Sequence, residues 1–297
     1  MAQNVVTSKA YFSLLSDFKT ITKMGLSISV VFSCLAGYLL AADTINFSIL
    51  SLLAIGGYCM VGASNVFNQI IERDLDRLMD RTKNRPLPMG RISVTNAFII
   101  GILLTIIGLT ILYTINPRTA MFAAISIFIY TSIYTPLKQK TALSVLAGAV
   151  PGAIPFMLGW VAFTGRFDLE PGILFMMQFF WQFPHFWSIA WFLDRDYKKA
   201  GFKMLPTGAK DKGTALQIIG YISWTILISV VPVFGFTGRL ELSAFAALLI
   251  GVMGLIFLYY GLRLFKLQSD NAARKLMAVS ILYLMSVQLI YILDKFI

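Results

Sequence analysis

Nine runs of about 20 mostly apolar residues recur along this chain, at 24–42, 48–71, 94–115, 119–136, 142–163, 171–193, 215–236, 241–264 and 276–294. A helix rises about 1.5 Å per residue, so each run is long enough to cross a hydrocarbon core roughly 30 Å thick. Lipid offers backbone N–H and C=O groups no partner, which restricts a spanning segment to a helix or a strand of a closed barrel. The runs are continuous and do not alternate as barrel strands do. The expected fold class is therefore all-α integral membrane, a bundle of about nine transmembrane helices forming one domain over 1–297. With 58% hydrophobic and 13% charged residues, too little polar material is present to cover a soluble globule. Residues 1–23 are more polar and are expected to form a short interfacial helix leading into Lys23. No cleavable signal is expected, because Asp17, Lys19 and Lys23 precede a first run long enough to span and remain.

The net charge of +11 would suit nucleic acid in a soluble protein, but here the side on which it lies is more informative. Of the 25 Lys and Arg residues, all but Arg118, Arg166, Arg239 and Lys295 fall on one side of the alternating spans. The positive-inside rule then makes the N-terminus and the large charged loops cytoplasmic and, with nine spans, puts the C-terminus outside. Charge bias accounts for most of these residues without any chemistry, and no nucleic-acid partner is expected. Cys34 and Cys59 lie inside spans without metal spacing and are expected to be buried free thiols.

One stretch exceeds what topology needs. Residues 68–88, NQIIERDLDRLMDRTKNRPLP, hold 4 of the 14 acidic and 5 of the 25 basic residues directly after an apolar run. On a helix Asn68, Glu72 and Asp76 fall within roughly an 80° arc, joined by Asn65, whereas Asp74 points the opposite way. Oxygen ligands on one face suit Mg²⁺, which takes one or two carboxylates and shares its other positions with water and phosphate oxygens. Arg81, Lys83 and Arg85 follow at once and suit those phosphate oxygens. Lys138 and Lys140 sit in a short loop on the same side, where charge bias alone would also put a lysine or two.

The fifth run contains Gly148, Pro151, Gly152 and Pro155 and is expected to be bent or locally broken. The sixth carries Gln178, Trp181, Gln182, Pro184, His185 and Ser188, then ends in Asp194-Arg195-Asp196-Tyr197-Lys198-Lys199. Polar groups at membrane depth face the bundle interior or water. On a continuous helix Gln178, Gln182 and His185 share a face, with Asp196 within about 20° of His185 and Asp194 turned away. Asp196 is thus the favoured inward ligand of that pair. A lone histidine in a helix is commonly a satisfied core residue. The aromatic surroundings of His185, in WQFPHFW, would equally suit a flat metalloporphyrin needing an axial donor.

Two acidic clusters at the ends of two spans, ringed by basic loops, suit a diphosphate held through Mg²⁺ and ionised from an allylic carbon. Asn68-x3-Glu72-x3-Asp76 followed by Arg81-Thr82-x2-Arg85-Pro86-Leu87 resembles the first motif of the UbiA-type intramembrane prenyltransferases. Trp181–Trp187, with Asp196-Tyr197-x2-Ala200-Gly201 and Met204-Leu205-Pro206, is similar to the protoheme IX farnesyltransferase branch of that family. The resemblance covers essentially the whole chain. It implies transfer of the farnesyl group of farnesyl diphosphate to a vinyl group of heme B, with addition of water, to form heme O in a bacterial plasma membrane. It further implies that Asn68, Glu72, Asp76 and Asp196 serve the Mg²⁺-diphosphate, that Arg81, Arg85 and Lys138 bind diphosphate oxygens and that Lys198 is substrate-binding. Trp181 and Gln182 would contact substrate, and His185 would ligate heme or act near the vinyl carbon. The wider family often has aspartates four apart in its second motif, where this chain has Phe192 before Asp196. A downstream heme-modifying membrane enzyme is the partner such a product implies. The alternatives are prenylation of a quinone precursor or another tetrapyrrole, and a heme-binding protein or transporter that ionises nothing.

Overall fold

The structure, a computed structural model, describes residues 14–297. Residues 14–21 are helical, and the earlier part of the expected interfacial segment lies outside the described residues. Nine long helices follow among the described residues: α1 Met24–Ala41, α2 Phe47–Ile71, α3 Val94–Ile115, α4 Pro117–Leu137, α5 Ser144–Thr164, α6 Leu169–Phe192, α7 Lys212–Phe234, α8 Ala244–Leu267 and α9 Asp270–Phe296. Eight are apolar enough to cross a membrane by length and composition; α6, the helix carrying Gln178, Gln182 and His185, is the ninth.

Local chemistry sets the helix starts. Asn46, Ser93, Asn116, Asp211, Ser243 and Ser269 each cap a helix by accepting backbone N–H donors with a side-chain oxygen. Asn116 also donates its amide to the Val161 and Ala162 carbonyls at 3.1 and 3.2 Å, fastening the start of α4 to the end of α5. The local break expected of this run is not seen: α5 continues as a helix through Pro151 and Pro155. It is the most deeply buried helix, and α1, α4 and α6 pack around it. Neighbours follow chain order from α1 to α5, α6 packs against α7 and α9, and a lighter contact between α9 and α1 closes the ring. Where α1 crosses α5 the backbones nearly touch. A Cβ placed on Gly159 would lie 1.8 Å from the Cys34 carbonyl oxygen, and one on Gly37 would lie 1.9 Å from that of Phe156.

Contacts sort the loops onto two ends. At one end the 72–85 segment meets Lys138, and Asp80 meets Asp196 and Lys199. At the other, Arg239 reaches the Ala41 carbonyl and Asp43, and Lys295 donates to the Leu40 and Ala42 carbonyls at 2.7 Å. Cys34 and Cys59 are buried and free.

Candidate active site

A cavity of about 460 Å³ opens from the first end into the bundle, walled by α1, α2, α4, α5, α6 and α9. Its mouth is built from charge. Asn68, Glu72 and Asp76 all line it and are buried, whereas Asp74 is 69% exposed in its side chain and pairs with Arg73 and Arg77. The helix does not run straight through this row: α2 ends at Ile71, Glu72 takes φ −93° and ψ 6°, and a short helix Arg73–Asp76 follows. The inward face survives the break because Asp76 is held from its own loop. Arg85 Nη1 lies 2.7 Å from Asp76 Oδ2, and the Thr82 hydroxyl donates to the Asp76 carbonyl.

Each side chain of the row keeps one oxygen free. Thr135 donates its hydroxyl hydrogen to the Tyr130 carbonyl at 2.8 Å, so toward Asn68 Nδ2, 3.1 Å away, it accepts, and Asn68 Oδ1 is left unpartnered. Lys138 Nζ binds Glu72 Oε1 at 2.7 Å. Asp76 Oδ1 is buried without any partner. Burial pushes the Asp76 carboxyl above its usual range despite the Arg85 guanidinium. Burial pulls Lys138 down, but the Glu72 charge and hydrogen bond, with Tyr130 and Tyr197 beside it, together leave Lys138 above its ordinary value. An orphaned carboxylate oxygen beside two other free oxygens is a donor set that a hard divalent cation fits, with phosphate oxygens completing the shell.

The second acidic cluster is placed differently from the first. The α6 helix stops at Phe192, Leu193 takes φ −100° and ψ 7°, and Asp194–Lys199 forms a new short helix. The turn swings Asp196 away from the cavity lining. Its two oxygens accept the backbone N–H groups of Asp80 and Arg81 at 2.9 and 3.2 Å, and Lys199 lies 3.4 Å away. Burial raises its carboxyl, but those donors prevail and hold it low. Asp196 therefore braces the loop that carries Arg81 into the cavity and lies outside the cavity lining that holds Asn68, Glu72 and Asp76. Among the described residues no three His, Cys, Asp or Glu side chains converge as a metal cluster. Asp194 pairs with Lys198 at 2.8 Å, and Lys198, 62% exposed, is not among the residues that line the cavity. The substrate-binding role expected of Lys198 is not supported by that position.

Deeper in, the cavity is walled by Gln178, Trp181, Gln182, His185 and Phe186, so the expected inward face of α6 is present. Gln182 donates to the Ala149 carbonyl at 2.9 Å, and Gln178 Oε1 is buried and unpartnered. Trp181 and His185 stack with centroids 4.7 Å apart and planes 18° from parallel. His185 lies seven residues before the end of α6, roughly 10 Å below the charged mouth.

Three contributors, Lys23, Tyr130 and Tyr134, escaped sequence reasoning. Lys23 lines the mouth at the start of α1 with a left-handed backbone, φ 47° and ψ 55°, a strained conformation for a lysine. No ion pair forms to it among the described residues. Burial, with Arg85 and Lys138 nearby, lowers its ammonium to about 7. The available signal was a lysine placed directly before the first apolar run. Tyr130 and Tyr134 reach the cavity because the end of α4, Ile129–Tyr134, winds as a π-helix. Nothing in the residue pattern announces that wider turn.

The UbiA prenyltransferase family model matches residues 30–287 of the chain. The chain is 65% identical over 285 residues to "Protoheme IX farnesyltransferase" of Christiangramia forsetii, covering 96% of this chain and 95% of that protein. Among solved structures, it is similar to digeranylgeranylglyceryl phosphate synthase, with TM-score 0.78 at 20% identity, covering 94% and 98% of the two chains. A UbiA homolog from Archaeoglobus fulgidus bound to GPP and Mg²⁺ aligns with TM-score 0.66 at 15% identity, covering 93% and 99%.

Proposed function

Because the chain belongs to the UbiA prenyltransferase family, we propose that it transfers the farnesyl group of farnesyl diphosphate to a vinyl group of heme B, adding water to form heme O. The observation that carries this reading is a single cavity that joins an anion-binding mouth to an apolar chamber with a stacked Trp181–His185 pair. Both substrates would share that space. The identity to a protoheme IX farnesyltransferase over nearly the whole chain supports heme over a phenolic acceptor.

In this reading Asn68, Glu72 and Asp76 would hold Mg²⁺ through their free oxygens, and Arg81, Arg85, Lys138 and Lys23 would face the diphosphate. Bound Mg²⁺ would supply positive charge against which the leaving diphosphate is stabilised. The basic side chains add donors fixed before the reaction begins, which is where electrostatic catalysis is most effective. The allylic C–O bond breaks with its electron pair leaving on diphosphate, and the terminal vinyl carbon bonds to the farnesyl carbon. The cation then left on the inner vinyl carbon takes the oxygen of water, whose proton passes to diphosphate or solvent. Trp181 supplies a flat wall and Gln182, tied to α5, keeps that wall in register. The positive-inside bias supports a cytoplasmic mouth, and the contacts of Lys295 with the far end of α1 support a C-terminus outside.

Membranes containing the protein, given heme B, farnesyl diphosphate and Mg²⁺, are expected to yield a heavier, more hydrophobic heme by mass spectrometry. Bound heme without product would favour the binding-protein reading, and product from a phenolic acceptor the quinone branch. In His185→Ala, heme transfer should be lost with prenyl diphosphate binding retained; normal heme turnover would remove His185 from the reaction.

Lys23 adds a pH signature. Its folded pKa, about 7, lies below the ordinary lysine value of 10.5, so the empty site holds it neutral at pH 8 and pays in stability for charging it as pH falls. A bound diphosphate favours the charged form, so binding at pH 8 protonates the Lys23 amine with a proton taken from solvent. Affinity for prenyl diphosphate is therefore expected to weaken by up to about tenfold per pH unit above 7. Calorimetry in buffers of different ionisation enthalpy should detect the uptake, and Lys23→Met should abolish it. An uptake unchanged in that variant would assign the proton elsewhere.

A further inference from the structure

Ser280, buried on α9, carries two contacts to the rings of α6 and serves neither the charged mouth nor the wall directly. Its hydroxyl donates to the Met277 carbonyl at 2.6 Å, one turn back on its own helix. That uses its only hydrogen. At the 2.8 Å contact with His185 Nδ1 the serine oxygen must therefore accept, and Nδ1 must carry the hydrogen. A neutral imidazole has one N–H, so the lone pair lies on Nε2. Nε2 has no partner among the described residues and is not sealed from the cavity that the ring lines. The Ser280 carbonyl meanwhile accepts Trp181 Nε1–H at 2.6 Å. One residue of α9 thus orients both members of the stacked pair.

A serine that bonds back to its own helix is common and needs no second partner. Here the histidine gains from the arrangement, because the hydroxyl has only acceptor capacity left to offer it. We propose that Ser280 is a positioning residue that holds His185 in the Nδ1–H tautomer and thereby presents Nε2 to the cavity as an axial ligand for the iron of a heme acceptor. The inference rests on the heme acceptor proposed above. Partners of the second imidazole nitrogen commonly set tautomer and ring orientation of a ligating histidine, and losing one costs about 10–100-fold in metal affinity. A hydroxyl is also a weaker acceptor than a carboxylate. The ligand stays a neutral imidazole able to release its iron, as befits a substrate that must leave.

The full chain in detergent would be titrated with ferric heme, followed by the Soret band, and in parallel with metal-free protoporphyrin IX, followed by fluorescence. Ser280→Ala is expected to weaken heme binding by about 10–100-fold and to shift the Soret band to that of His185→Ala. Its affinity for metal-free porphyrin should change by less than about threefold, since that ligand offers no iron. Ser280→Thr, which keeps the hydroxyl, should retain the wild-type spectrum. Wild-type heme affinity and spectrum in Ser280→Ala would overturn the proposal. An equal loss of both porphyrins would do so too, by reducing Ser280 to packing. If the wild type binds prenyl diphosphate but neither porphyrin, the heme acceptor itself fails and the tautomer proposal with it.

Discussion

Asp76→Asn is expected to lower turnover by about 10²–10³-fold while leaving the empty protein at least as stable as the wild type. The two effects separate because the fold does not favour this charge. Asp76 is fully buried, one oxygen has no partner, and its carboxyl holds its proton more tightly than an ordinary aspartate. A raised folded pKa means that ionisation near neutrality costs the empty protein stability, a cost present above the folded pKa and relieved as pH falls through it. The neutral amide removes that cost, keeps the shape, and cannot supply the negative oxygen a cation needs. Thermal unfolding should show an unchanged or slightly raised midpoint, and the stabilisation by Mg²⁺ with prenyl diphosphate should disappear. Asp74→Asn, on an exposed side chain paired only to Arg73 and Arg77, should change turnover by less than about threefold. Equal losses in the two variants would sink the assignment of the buried face.

Gly159→Ala should be the most damaging single-methyl change in the bundle. The added carbon would meet the Cys34 carbonyl oxygen at 1.8 Å and the Tyr38 backbone nitrogen at 2.4 Å, atoms that cannot rotate away as a side-chain tip can. Only a shift of α1 against α5 relieves it. Forcing packed elements apart costs about 1–3 kcal/mol or more, and in lipid close packing of small residues is a main source of helix association. Gly37→Ala strikes the same crossing from the other helix, 1.9 Å from the Phe156 carbonyl oxygen. The double variant should therefore lose less than the sum of the two, since the helices have already separated. Gly220→Ala meets nothing within 4 Å and should be neutral or stabilising in the same unfolding series. A Gly159→Ala protein as stable as Gly220→Ala would disprove the close crossing. Because α1 carries Lys23 and α5 carries the Gly152 wall, surviving Gly159→Ala protein should also bind prenyl diphosphate less tightly.

What could be read in advance follows the range over which each determinant acts. The spans were legible because lipid forces every apolar run to satisfy its backbone within itself, and the nine runs correspond to α1–α9 within a few residues. The separation of Asn68, Glu72 and Asp76 from Asp74 was legible because neighbours on a helical face depend only on spacing. The same spacing argument failed for Asp196. Glu72 and Leu193 break their helices with nearly the same backbone angles, yet Arg85 and Thr82 keep Asp76 inward while the N–H groups of Asp80 and Arg81 capture Asp196. Those donors come from a segment more than a hundred residues away, and no local periodicity encodes them.

Lys23, Thr135 and Ser280 escaped notice for a related reason. Each is an ordinary residue whose role depends on what distant segments bring beside it: Arg85 and Lys138 near Lys23, Asn68 against Thr135 and His185 against Ser280. The sequence by itself determined a helical membrane bundle, the identity of its polar faces and the carboxylate row, because burial and periodicity are local properties of a run. Only the tertiary structure decided which oxygen of Asn68 is free, which acid braces a loop, and which nitrogen of His185 faces the cavity, because hydrogen bonds between distant helices assign each donor and acceptor its partner.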